Sequence, residues 1–107
     1  MLSLKPGVRV LGLTPQACLI IMIVDGVYRR HGADCVVTSC TDGKHGFGSD
    51  HYIGNSIDFR THTLRALGLD THEVVKEIRT ALGAEFDVIF ESAGTDNEHA
   101  HCEWDPK

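Results

Sequence analysis

The stretch LTPQACLIIMIVDGVYRRHG, residues 13–32, constrains the fold of this chain more than any other part. Thr14 suits the N-cap of a helix, Pro15 its first position, and Gly32 the position just past its end. The run ACLIIMIV between them is almost continuously apolar, so we expect a central helix that is buried on most sides. That run has eight residues, whereas a membrane span needs roughly 20. The expected core residues of this helix are Ile20, Ile21, Ile23 and Val24.

Shorter patterns supply the rest of the fold. Segments rich in β-branched residues, or alternating between apolar and polar residues, predict short strands at 34–40, 56–60, 86–91 and 98–104. A second helix is predicted over residues 70–83, where Asp70 and Glu73 form a capping-box pattern and Gly83 marks the end. The sequence therefore indicates one α+β domain over residues 1–107, with a small antiparallel sheet and two main helices.

Charge and the first residues narrow the classes of function. The chain has 107 residues and a formal net charge of −5, which is atypical of nucleic-acid-binding proteins with their basic patches. The start MLSLKPGVRV lacks the charged region, the long apolar core and the cleavage site of a signal peptide. We expect synthesis in the cytoplasm without membrane insertion, so that action at the cell wall would require release by another factor. Nothing in the sequence indicates an oligomeric state.

The four cysteines give no sign of a zinc finger or a redox motif. They lie at positions 18, 35, 40 and 102 and form no C-x-x-C pair. We expect reduced thiols in or near the core, although Cys102 is notable because it directly follows His101.

Two polar segments indicate a metal site. In SDHYIGNSID, His51 and Asp58 flank Gly54, and in EHAHCEW, His99 and His101 point to the same face of the predicted last strand. Histidine and carboxylate groups suit a catalytic zinc, which takes three protein ligands and keeps an open position for water. The spacing also allows a simpler interpretation, in which these are ordinary polar residues of a turn and of an exposed strand face.

A resemblance to a known family favours the metal site. SDHYIGNSIDFR resembles the S-x-H-x-x-G-x-A-x-D motif of the zinc D-Ala-D-Ala peptidases of the M15 family, and EHAHCEWDP is similar to the closing segment of that family. The approach TSCTDGKHGFGSDHY is also similar to short phage-type members. Order, spacing and chain position agree from about residue 7 to the end. The resemblance implies a small zinc domain like that of the D,D-peptidases and of the hedgehog signalling domain.

The resemblance also implies roles for individual residues. His51, Asp58 and His101 would bind Zn2+, Glu98 would be the general base, and His99 would stabilise the oxyanion. Two simpler readings of Glu98 stay open: it could be a solvated turn residue, and another carboxylate, Glu91 or Glu103, could be the base.

Further positions carry weaker expectations. Ser49 would hold the first motif in shape, and Gly54 would allow the tight turn between the two ligands. Ser56 stands where the family usually has alanine, and we expect the small hydroxyl to be tolerated. No arginine lies between Arg30 and Arg60, so Lys44 and His45 are the candidate cations of this loop for a substrate carboxylate.

The expected activity is that of a zinc metallopeptidase acting on peptidoglycan stem peptides. The absence of a signal sequence suits a phage or prophage lytic enzyme, an endolysin that reaches the cell wall only after release. A lysine such as Lys44 cannot make the two-point contact with a terminal substrate carboxylate that an arginine makes. It therefore stays open whether the enzyme acts as a carboxypeptidase or as an endopeptidase. The alternatives are a zinc-stabilised binding domain without hydrolysis and a virion-assembly domain that keeps only the fold.

Overall fold

Two helices pack against one face of a five-stranded sheet in the computed structural model, which describes residues 1–40 and 54–106. In chain order the elements are β1 (Leu2–Leu4), α1 (Pro15–Arg30), β2 (Cys35–Ser39), β3 (Ser56–Arg60), α2 (His62–Ala66), α3 (Thr71–Leu82), β4 (Phe86–Glu91) and β5 (His99–Trp104). The strands lie in the order β1-β2-β3-β5-β4. The predicted α+β class is confirmed.

Helix α1 is the central packing element. Its N-cap Thr14 accepts a hydrogen bond from the backbone N–H of Ala17 at 3.2 Å, as the sequence predicts. Ile20 and Val24 are fully buried, while Ile21 and Ile23 are half-buried against the same core. The helix contacts α3 and the strands β2, β3 and β5. The apolar run therefore joins both layers of the fold.

Alternation along the strands gives the sheet one apolar and one polar face. The side chains that face the helices are buried: Cys35, Val37, Ile57, Phe59, Val88, Ala100 and Cys102. The residues between them, including Asp58, His99 and His101, lie on the opposite face and are half-buried. Because side chains alternate along a strand, the burial of Ile57 and Phe59 forces Asp58 onto the polar face.

The structure contains two elements that the sequence did not predict, strand β1 and helix α2. β1 pairs with β2 in parallel, with Leu2 opposite Cys35, so the sheet is mixed and not purely antiparallel. Three exposed residues are too few to show a strand period in the sequence. The short helix α2 follows β3 directly and is fixed by the buried side chain of Leu64.

The cysteines are free thiols, and three of the four are buried as expected. Cys35, Cys40 and Cys102 lie in the core, whereas Cys18 is exposed. Burial, followed by the negative charge of Asp25, raises the pKa of Cys35 to about 12, and burial also raises the pKa of Cys102. These two thiols stay protonated at neutral pH and pack as small apolar groups.

Within residues 1–40 and 54–106, no helix combines the length and the apolar character that a membrane crossing requires.

Candidate functional site

Strands β3 and β5 bring together two of the predicted zinc ligands. Their antiparallel register sets Asp58 directly opposite His101, although 43 residues separate them in the chain. Asp58 Oδ1 lies 2.8 Å from His101 Nδ1, and the two side chains are only 16% and 12% exposed. The third predicted ligand, His51, lies outside the described residues.

A second carboxylate completes the surroundings of the His101 ring. Glu103 Oε1 lies 2.7 Å from His101 Nε2, so the imidazole sits between two acidic side chains. Burial by itself lowers the pKa of His101, but the hydrogen bonds to Asp58 and Glu103 and the attraction of both charges outweigh it and raise the pKa to about 9. The position therefore stabilises a positive charge.

This donor set fits a zinc ion on the Asp58 side of the ring. Two atoms bound to a tetrahedral zinc at about 2.0–2.1 Å are about 3.4 Å apart, so the observed 2.8 Å between Asp58 and His101 needs only a small separation. The other ring nitrogen bonds the carboxylate of Glu103, which is the usual way that a protein orients a metal-binding histidine. Among the described residues, no group of three or more His, Cys, Asp or Glu side chains is arranged to hold a metal. The set of three predicted ligands would include His51, which lies outside the described residues.

His99 is oriented by a local hydrogen bond. Its Nδ1 lies 2.8 Å from the carbonyl oxygen of Asn97, so Nδ1 must carry the hydrogen and donate it. Nε2 lies 3.9 Å from Asp58 Oδ2 and 3.5 Å from Glu91 Oε2. Nε2 can consequently donate a hydrogen bond to a ligand only when the ring is protonated, and it accepts one otherwise.

Glu98 is buried and tightly held. Its side chain is 1% exposed and forms an ion pair with Arg65. The hydroxyl of Thr61 donates to Oε2, and the backbone N–H of Gly94 donates to Oε1 at 3.0 Å. The interpretation of Glu98 as a solvated turn residue is therefore wrong. Three of the roughly four acceptor positions of a carboxylate are used by these donors, and the fourth, on Oε2, has no donor among the described residues.

A cavity of about 680 Å³ joins these groups. Asp58, Glu98 and His99 line it together with Arg60 and with residues of β2, α2 and the turn before β5. The volume lies within the range of about 300–1,000 Å³ that is typical of small-molecule sites. The predicted base, the predicted oxyanion group and one predicted metal ligand therefore share one cavity.

Gly54 packs closely against the residues just before α1. Its φ is +79°, and a Cβ at this position would overlap the carbonyl oxygen of Gly12. The backbone N–H and the hydroxyl of Thr14 both donate to the carbonyl of Gly54, at 3.1 and 3.2 Å. The glycine of the motif is thus explained by close packing against residues 12–14, which leaves no room for a side chain.

Lys44, His45 and Ser49 lie, like His51, outside the described residues, so their roles stay predictions. Ser56, which departs from the M15 motif that this segment resembles, is fully buried, and its hydroxyl has no hydrogen-bond partner among residues 1–40 and 54–106.

The structure adds residues that the sequence did not assign to the site. The sequence predicts Glu103 only as an alternative base, although its spacing of two from His101 on a strand was enough to place both on one face. Thr61 and Arg65, which hold Glu98, lie more than 30 residues before it in the chain. Only the position of α2 in the fold reveals that contact.

Comparisons with protein-family models, with curated proteins and with solved structures gave no match to this chain.

Proposed function

We propose that this protein is a zinc-dependent peptidase that hydrolyses peptide bonds in the stem peptides of peptidoglycan, as a carboxypeptidase or an endopeptidase in phage or prophage lysis. The observation that carries the proposal is the pairing of Asp58 with His101 beside the cavity that Glu98 and His99 line. Residues of two motifs that resemble the M15 family thereby meet on one face of the sheet.

The metal-binding part of the proposal rests on three side chains. Asp58 and His101 would hold the ion together with His51, and Glu103 would keep the His101 ring in place through Nε2. Zinc held by these residues would supply a Lewis acid that could activate water and polarise a peptide carbonyl.

The remaining residues would handle protons and charge. Glu98 has one acceptor position left, and a carboxylate held in place by Arg65 and Thr61 can take a proton from the attacking water and pass it to the leaving amine. His99, in its protonated form, would donate from Nε2 to the developing oxyanion. The burial of Glu98 keeps its orientation fixed and limits competing water.

Release of amino groups from purified peptidoglycan tests the proposal. Wild-type protein loaded with zinc should release them, whereas Glu98→Gln should lose roughly 10²–10⁴-fold in rate because glutamine cannot accept the proton. His99→Ala should lose about 10²–10³-fold if the ring is an oxyanion donor. Glu85→Gln is the matched control, because it makes the same chemical change at an exposed position away from the cavity.

One observation also fits the non-catalytic alternative. A carboxylate that is buried against an arginine, as Glu98 is against Arg65, can serve structure alone. If zinc-loaded wild type releases no amine from peptidoglycan or from muropeptides with intact or trimmed D-Ala ends, the domain is a zinc-stabilised binding or virion-assembly module. If Glu98→Gln keeps full activity, the base is another carboxylate, and Glu91 and Glu103 are the next to replace.

A further inference from the structure

Arg60 lies beside the predicted catalytic groups. It ends β3 two residues after Asp58, on the same face of the sheet, and it is directly opposite His99 on β5. Its side chain lines the cavity with Asp58 and His99. Directly opposed residues of an antiparallel pair have Cβ atoms about 4.5–5.5 Å apart, so Arg60 and His99 can contact the same ligand.

The backbone of Arg60 is fixed from the core side of the sheet. The hydroxyl of Tyr28, a fully buried residue of α1, donates to the carbonyl oxygen of Arg60 at 2.7 Å. The strand pairing and this bond hold the main chain, while the guanidinium is left to the cavity. A binding group on a fixed strand is better preorganised than one on a loop.

The guanidinium of Arg60 has no hydrogen-bond or ion-pair partner among residues 1–40 and 54–106, although the residue is only half-exposed. Charged groups withdrawn from water are normally paired. The two acidic residues of the cavity closest to the predicted chemistry are already engaged, Asp58 with His101 and Glu98 with Arg65. Arg60 is therefore a cation that these carboxylates do not neutralise.

We infer that Arg60 binds a carboxylate group of the ligand and thereby selects peptides with a free acidic group next to the reacting centre. This inference rests on the proposed function for the reaction, but the binding it describes can be measured without hydrolysis. Arginine suits the role because its planar fork donates two parallel hydrogen bonds to a carboxylate. Lys5, which also lines the cavity, would add only a point charge.

The test uses N-acetyl-D-alanine and its C-terminal amide as probes, titrated into the full zinc-loaded chain and followed by NMR chemical shifts. Wild type should bind the carboxylate at least about tenfold more tightly than the amide, as expected for hydrogen bonds between charged groups. Arg60→Gln should abolish that preference, and Arg60→Lys should retain only part of it. Lys76→Gln, which removes the same charge from an exposed position on α3, should leave the preference unchanged.

Each result has a defined meaning. Equal binding of both probes by wild type, or an unchanged preference in an Arg60→Gln protein whose circular dichroism shows it folded, overturns the inference. If Arg60→Gln does not fold, Arg60→Lys decides, since it keeps the charge and changes only the hydrogen-bonding geometry. An Arg60-dependent carboxylate preference without any peptidoglycan cleavage supports the inference and removes the proposed function. Peptidoglycan cleavage together with an unchanged carboxylate preference in Arg60→Gln supports the proposed function and overturns the inference.

Discussion

Asp58 and His101 lie directly opposite each other on strands β3 and β5, with Asp58 Oδ1 at 2.8 Å from His101 Nδ1. This pair links two sequence segments that are far apart in the chain. The register of β3 and β5 places the two residues opposite each other, and the same register places Ile57 and Cys102 together on the buried face. The candidate site and the apolar core are therefore fixed by the same strand pairing.

The first prediction concerns metal content. Purified protein should take up one zinc per chain, measured by elemental analysis after gel filtration. Asp58→Asn should weaken zinc binding by more than the roughly 10–100-fold typical of residues that only orient a ligand. His99→Ala should keep its zinc, because His99 is not among the predicted ligands. Equal zinc affinity in Asp58→Asn and wild type would remove Asp58 from the ligand set.

The second prediction concerns stability. Zinc would tie β3 and β5 to segment 41–53, and a ligand that binds only the folded state stabilises it by mass action. At free zinc 100-fold above Kd the gain is about 2.7 kcal/mol, which corresponds to a rise in Tm of about 10 °C or more for a domain of this size.

Calorimetry before and after removal of zinc by a chelator, followed by dialysis, measures this shift. The Asp58→Asn protein is the control, since its Tm should respond much less to the same treatment. A wild-type Tm that is the same with and without zinc contradicts the prediction.

The third prediction concerns the ion pair of Arg65 and Glu98. Arg65→Ala leaves a buried carboxylate without its cation, which should lower the free energy of unfolding by about 1–3 kcal/mol. The expected loss is moderate because the side chain of Arg65 is 50% exposed, so water can partly replace it. Arg65→Lys should lower the free energy of unfolding by less, and Lys76→Ala, at an exposed position of α3, should change it little.

Urea denaturation of the three variants gives these differences. A fully stable Arg65→Ala protein would mean that Thr61 and Gly94 alone satisfy the Glu98 carboxylate.

The fourth prediction concerns the departure from the family motif at Ser56. Its buried hydroxyl has no hydrogen-bond partner in the part of the chain that the structure describes, so Ser56→Ala should raise the free energy of unfolding by up to about 1 kcal/mol. Thr61→Val is the opposite control. The hydroxyl of Thr61 donates a hydrogen bond to Glu98, so its removal should lower the free energy of unfolding. A loss of stability in Ser56→Ala would show that the hydroxyl has a partner in the folded protein.

Most of the helices and strands could be predicted because helix caps and strand alternation are local features of the sequence. Thr14, Pro15 and Gly32 marked the limits of α1, and alternation marked β3 and β5, which placed Asp58 and His101 on strands. Their pairing could not be derived from spacing, since it depends on which strands are neighbours in the sheet. The resemblance to a family supplied that link.

The missed features depend on contacts between distant parts of the chain. Helix α2 has five residues and no side-chain cap, so its existence depends on packing of Leu64 and not on a sequence period. Because α2 carries Arg65, the ion pair with Glu98 could not be predicted either. β1 likewise forms only because β2 offers a parallel edge.

The most direct test of the proposed function is the dependence of peptidoglycan hydrolysis on zinc in a single preparation. The rate of amino-group release is measured for the protein as purified, after removal of zinc by a chelator and dialysis, and after addition of one equivalent of zinc. We expect activity in the purified protein, its loss after zinc is removed and its recovery when zinc is added, with no recovery in Asp58→Asn. Hydrolysis that persists without zinc, or no hydrolysis in the zinc-loaded protein, would contradict the proposed function.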